Sequence, residues 1–168
     1  MKKIVTFGET MVQYNAQYTG PLNKAKEHYE DCAGAESNFL MNLATFGINN
    51  SKCIWISRLG NDKAGQYIFD TLSNNITVIT KMHPNEKTGL SYLNHFPDGS
   101  HLKTYYRSGS AASKIKFTDI KPHLTNIEFL HVTGITPALS STALTTTLNT
   151  LEYCKDNSIP ICLDINYR

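Results

Sequence analysis

The feature that most constrains this chain is a regular alternation of short apolar runs with helical stripes. Segments 3–7, 52–57, 76–79, 128–133 and 161–165 are compact and of strand length. Between them, 36–46 places Phe39, Leu40, Leu43, Ala44 and Phe46 on one helical stripe, and Gly47 follows as a helix stop. Segment 63–72 repeats the pattern with Ala64, Tyr67, Ile68 and Leu72, and 140–157 does so with Leu144, Leu148 and Leu151. Strand and helix alternating at this spacing predict a parallel or mostly parallel α/β sheet with right-handed crossovers. The period changes once. Segments 88–96 and 102–106 read as two strands around the turn Pro97-Asp98-Gly99-Ser100, a hairpin that should leave the main sheet. At 168 residues the chain is long enough for one domain with a real core.

Composition narrows the function classes. The chain is 40% hydrophobic and 18% charged, with a formal net charge of +2. Its basic residues are scattered, so neither nucleic acid nor an anionic membrane is expected as a partner. The opening apolar run is interrupted by Gly8-Glu9, too soon for a secretory leader, and no stretch reaches membrane-spanning length. A cytoplasmic setting is expected. Cys32, Cys53, Cys154 and Cys162 form no C-x-x-C pair and have no nearby histidine cluster, so they read as reduced thiols rather than a metal site.

In open parallel sheets, ligands collect beyond the carboxyl ends of the strands. Four segments there carry chemistry. Ala33-Gly34-Ala35-Glu36-Ser37-Asn38 opens a helix, where glycine lets backbone amides approach a ligand and the helix N-terminus favours oxygen acceptors; a plain capped helix start fits these residues too. Arg58-Leu59-Gly60-Asn61-Asp62 is a strand-to-helix turn with Asp62 suited as N-cap. It lacks the Gly-Lys-Ser/Thr ending of a phosphate loop, and no Gly-x-Gly-x-x-Gly follows the first strand. Tyr105-Tyr106-Arg107-Ser108-Gly109-Ser110 ends a strand with aromatic faces suited to sugar C–H surfaces and a guanidinium able to fork onto a carboxylate. The chain's arginines are Arg58, Arg107 and Arg168, all at such strand ends, while every other basic side chain apart from histidine is lysine. In Asp164-Ile165-Asn166-Tyr167-Arg168, strand alternation would put Asp164, Asn166 and Arg168 on one side, facing a ligand or forming a structural cluster.

The Gly-Ala-x-x-Asn helix start, the Arg-Leu-Gly-Asn-Asp turn and the Asp-x-Asn-x-Arg strand, in this order, resemble the PfkB carbohydrate kinases. Tyr-Tyr-Arg-x-Gly-Ser-Ala-Ala-Ser and Thr133-Gly134-Ile135-Thr136-Pro137-Ala138-Leu139 resemble the 2-keto-3-deoxygluconate kinases among them. The resemblance spans 4–168. It implies a ribokinase-like αβα sandwich with a mostly parallel sheet and a small β-lid drawn from about 11–18 and 88–106. It also implies ATP-dependent, magnesium-assisted phosphorylation of a sugar acid.

Carried over by position, Gly34, Asn38, Ser91, Tyr105, Arg107, Ile135 and Arg168 would bind the sugar. Ser91 stands where these kinases often carry tyrosine. Residues 1–168 would be the N-terminal, substrate-binding part. The catalytic aspartate, the anion hole and the adenine pocket would lie in a C-terminal part the chain does not contain, so no catalytic residue and no metal ligand is assigned here. Glu9 is not taken as a base. The chain alone is expected to be inactive, with ATP and Mg2+ held mainly by the missing part, and copies are expected to associate through the lid. Two alternatives stand beside this reading. One is a kinase of a neutral sugar such as fructose or ribose, or of a nucleoside, for which paired arginines would be poorly used. The other is a truncated, non-catalytic sugar-binding module.

Overall fold

The structure, a computed structural model, describes residues 2–49 and 52–167. Along the chain run β1 (Lys3–Phe7), β2 (Met11–Thr19), β3 (His28–Ala33) and α1 (Ala35–Thr45), then β4 (Cys53–Gly60), α2 (Lys63–Ser73) and β5 (Thr77–His83). The hairpin β6 (Leu90–His95) and β7 (His101–Tyr106) follows, then α3 (Phe117–Ile120), β8 (Ile127–Thr133), α4 (Ser141–Asp156) and β9 (Ile161–Asp164).

β1, β4, β5, β8 and β9 form one parallel sheet in the order β5-β4-β1-β8-β9. Its two faces are covered separately, as the period-2 alternation of strands requires. In β4, Cys53 and Trp55 point to one side with Leu40 of α1 and Ile68 and Leu72 of α2. Ile54 and Ile56 point to the other, with Ile120 of α3, Ala143 and Cys154 of α4, and Leu130 of β8. This is the expected αβα sandwich. Each fully buried Leu or Ile in these two layers contributes about 1.5–3 kcal/mol.

Local chemistry sets the helix ends. Gly47 takes φ +88°, and the Ile48 N–H donates to Leu43 O at 3.0 Å, a closing turn in which left-handed backbone favours glycine. At the start of α2, Asp62 accepts from the Gly65 N–H at 2.7 Å through one carboxylate oxygen and from the Thr88 N–H at 2.9 Å through the other. The cap therefore also ties α2 to the segment entering the hairpin.

The hairpin leaves the main sheet and joins a second one, ordered β3-β2-β6-β7. β3 was not anticipated: His-Tyr-Glu-Asp-Cys-Ala lacks apolar alternation and is held in place as the antiparallel partner of β2. Two further expectations are corrected. The leucine stripe of α4 meets the core only at Leu151: Leu144 and Leu148 are 45% and 56% exposed, whereas Ala143, Thr146, Thr147, Thr150 and Cys154 are buried. Small side chains let α4 lie close on the sheet. The Thr147 and Thr150 hydroxyls donate back to the carbonyls four residues earlier, so their burial leaves no polar orphan. The strand expected over 161–165 ends at Asp164. Asn166 turns to φ +52°, and its backbone N–H and side-chain amide both donate to the Asp164 carboxylate. Strand alternation therefore does not carry Asn166 to the side of Asp164, and Arg168 lies outside the described residues.

Candidate functional site

One face of the lid sheet and the start of α1 enclose a cleft of about 280 Å³. β2, β3 and β7 lie on it as a slab, and their alternate residues Gln13, Asp31, Lys103 and Tyr105 point inward. Gly34, Asn38 and Ile135 face them from the body, and Glu9 and Arg107 lie where lid and body meet.

Of the residues singled out in the sequence, Gly34, Asn38, Tyr105, Arg107 and Ile135 come together here. Ser91 lies in the same lid, opposite Gln13 and Tyr105 in register, so its side chain is directed to the same face. It is fully buried among its neighbours, does not line the cleft, and its Oγ has no hydrogen-bond partner. Arg58 is elsewhere: its Nε pairs with Asp119 at 2.6 Å on the far side of the sheet, a structural use of that guanidinium. Arg168 is outside the described residues.

Gln13, Asp31 and Lys103 were missed. The i, i+2 spacing of Lys103, Tyr105 and Arg107 could have revealed Lys103. Asp31 needed β3, for which the sequence carries no signal.

Gly34 is required sterically. A Cβ there would stand 2.6 Å from both the Glu9 carbonyl and Thr10 Oγ1, so any side chain would wedge α1 away from the β1–β2 junction. The same junction holds two buried carboxyl groups. Glu9 is 2% exposed, accepts from Ser110 Oγ, and lies 2.5 Å from a terminal guanidinium nitrogen of Arg107. Burial raises its pKa, opposed by the Arg107 charge and by hydrogen bonds from Ser110 and Arg107. Glu36 is fully buried, and one of its oxygens accepts from the hydroxyls of Thr133 and Thr136, each at 2.6 Å. Its other oxygen has no partner, and desolvation outweighs the two hydroxyls to push its pKa up. Thr133 Oγ1 in turn accepts from the Ile135 N–H at 3.1 Å, so Glu36 fixes the loop that presents Ile135 to the cleft.

Positions 103, 105 and 107 continue one face of β7. They stack a cation, an aromatic ring and a cation, with Lys103 Nζ 5.5 Å and the Arg107 guanidinium carbon 5.7 Å from the Tyr105 ring centre. This wall offers an apolar face and two positive groups. The body offers the Asn38 amide and a helix N-terminus. The combination suits a small polyhydroxylated ligand carrying negative charge.

Among the described residues, no group of three or more histidine, cysteine or carboxylate side chains converges to hold a metal. The Gly60 turn supplies no phosphate cradle either. A Cβ at Gly60 would meet Glu86 O and Asp62 Oδ2, so that turn is already filled by the protein. The described residues thus offer no such cluster for Mg2+, and the Gly60 turn leaves no room for a phosphate. No helix among them is long and apolar enough to cross a membrane.

The pfkB family carbohydrate kinase model matches residues 1–168. A 2-dehydro-3-deoxygluconokinase from Bacillus subtilis is 32% identical over 98% of this chain and 51% of its own length. One from Thermoproteus tenax is 34% identical over 85% of this chain and 45% of its own. The crystal structure of a PfkB protein from a Polaromonas species superposes with a TM-score of 0.91 at 32% identity, covering all of this chain and 57% of that one. The chain thus spans about half the length of the curated relatives it matches. It belongs to the pfkB family of carbohydrate kinases.

Proposed function

We propose that this chain is the sugar-binding half of an ATP-dependent kinase for a sugar acid, with 2-keto-3-deoxygluconate, phosphorylated on its 6-hydroxyl, as the substrate. The Lys103–Tyr105–Arg107 wall carries the reading. A neutral ketose has no use for two cations beside one aromatic face, whereas a carboxylate accepts paired N–H donors from a guanidinium. The relatives named 2-dehydro-3-deoxygluconokinase support the same substrate class.

In this reading Tyr105 packs on the sugar, Arg107 and Lys103 take the carboxylate end, and Gly34, Asn38 and Ile135 hold the opposite side. Arg168 is assigned to the carboxylate by resemblance alone. ATP and Mg2+ take part through residues beyond the half that this chain matches, because the described residues offer no cluster for Mg2+ and no room for a phosphate at the Gly60 turn. When bound, they supply the phosphoryl group and neutralise its charge. The setting proposed is cytoplasmic. Copies associate through the lid, where Leu102 and Tyr106 are about half exposed on the face away from the cleft.

Calorimetric binding of 2-keto-3-deoxygluconate and of a neutral ketose tests the reading. The acid should bind at least about tenfold tighter, and Arg107→Lys should remove most of that preference, since a point charge cannot reproduce the fork. Equal affinity for acid and neutral sugar would falsify it.

A further inference from the structure

Arg107 is held in an unusual way. Glu9 Oε2 holds one terminal nitrogen of its guanidinium at 2.5 Å, while Arg107 Nε is buried without a hydrogen-bond partner. The carboxylate therefore supplies counter-charge at one terminal nitrogen and leaves Nε without a partner. The two partners are also unequally exposed: the Glu9 side chain is 0% accessible and that of Arg107 24%. Glu9 is the buried partner and Arg107 the accessible one, and both border the cleft.

The surroundings keep Glu9 from moving forward. Its other oxygen accepts from Ser110 Oγ, and Ser110 is itself tied into the loop by Ser113 N–H. A Cβ on Gly89 would come within 2.8 Å of Glu9 Oε1, so the backbone entering β6 closes the remaining side. An unpaired guanidinium at this partly buried place would swing toward solvent or lose its fixed plane. A fully bonded one would have nothing left for a ligand.

We propose that Glu9 is the positioning residue for Arg107, anchoring the guanidinium by charge at one terminal nitrogen so that its remaining N–H groups meet the carboxylate of a sugar acid. This rests on the sugar-acid reading for the identity of the ligand, though not for the anchoring itself. The role assigned to Glu9 is to hold Arg107, with no proton exchanged. Its effect appears as discrimination between acid and neutral sugars.

Two measurements test it. The first uses no ligand. The chain's arginines are Arg58, Arg107 and Arg168, so 15N-arginine labelling gives a sparse spectrum in which Arg107→Lys assigns the Arg107 signals. In the wild type the Arg107 guanidinium should rotate slowly. In Glu9→Gln, which preserves shape and an acceptor for Ser110, it should average, and Glu9→Asp should restore part of the slow behaviour.

The second is affinity. Glu9→Gln should weaken binding of 2-keto-3-deoxygluconate by about tenfold to a hundredfold, the loss expected for a charge-assisted contact, while a neutral ketose binds as before. In an Arg107→Ala background, Glu9→Gln should have no further effect. An unchanged Arg107 signal overturns the anchoring. So does a Glu9→Gln penalty that persists without Arg107 or falls equally on the neutral sugar. A wild type that binds both sugars alike, with Arg107 still immobilised by Glu9, overturns the sugar-acid reading and leaves the anchoring standing.

Discussion

The two flanks of the main sheet obey the same rule to different degrees. On the β4–β5 side, α1 and α2 seal the sheet: Trp55, Leu40, Ile68 and Leu72 are at most 1% exposed. On the β9 side, Ile161 and Leu163 are 40% and 61% exposed, beside Leu148 of α4 at 56%. Parallel strands are ordinarily buried on both faces, so β9, whose only described partner is β8, is incompletely covered. The closed flank carries the stability of the described residues. The open edge carries apolar surface with the character of an interface.

Substitutions should separate the two flanks. The largest effect is expected on the sealed side. Trp55→Ala should cost about 3–5 kcal/mol in chemical denaturation, through lost transfer free energy and the cavity left behind. A loss below about 1 kcal/mol would mean that this flank is not the stabilising one.

Next comes Asp62→Ala, which removes the α2 cap and orphans the Thr88 N–H. It should cost about 1–2 kcal/mol in the same assay. Asp62→Asn keeps acceptor capacity and should lose less.

The third prediction concerns pH. Burial raises the Glu36 pKa, so the folded chain holds that proton more tightly than the unfolded chain does. This contribution to stability is fully present below the ordinary glutamate pKa and is lost as pH rises through the elevated folded value. Glu36→Gln should flatten the stability profile across that window and leave the protein no less stable at neutral pH. Glu9, shifted in the same direction, remains in both proteins and cancels from the comparison. A profile unchanged by Glu36→Gln would show that Glu36 titrates normally.

The smallest stability effect belongs to the open edge. Leu148→Ser and Leu163→Ser should change stability by no more than about 0.5 kcal/mol, because these side chains are already wet. They should nonetheless reduce self-association in sedimentation velocity. An edge substitution as costly as Trp55→Ala would erase the distinction between the flanks.

Hydrophobic period and turn chemistry were enough to read the parallel α/β class, the hairpin that departs from it, the glycine stop at Gly47 and the Asp62 cap, because each rests on residues near one another in the chain. The cleft residues Gly34, Tyr105 and Arg107 were legible for a related reason: strand ends and helix starts gather on one side of such a sheet. Tertiary structure decided the rest. β3 is a strand because β2 offers it a ladder, not because its own residues alternate. α4 turns Thr146, Thr147 and Thr150 inward and Leu144 and Leu148 outward because close approach to the sheet and local hydroxyl bonds outweigh its leucine stripe. Arg58 is committed to Asp119, and Arg107 to Glu9, through contacts between residues far apart in sequence. A sequence shows that a guanidinium is present; which carboxylate neutralises it depends on distances that exist only once distant segments have packed together.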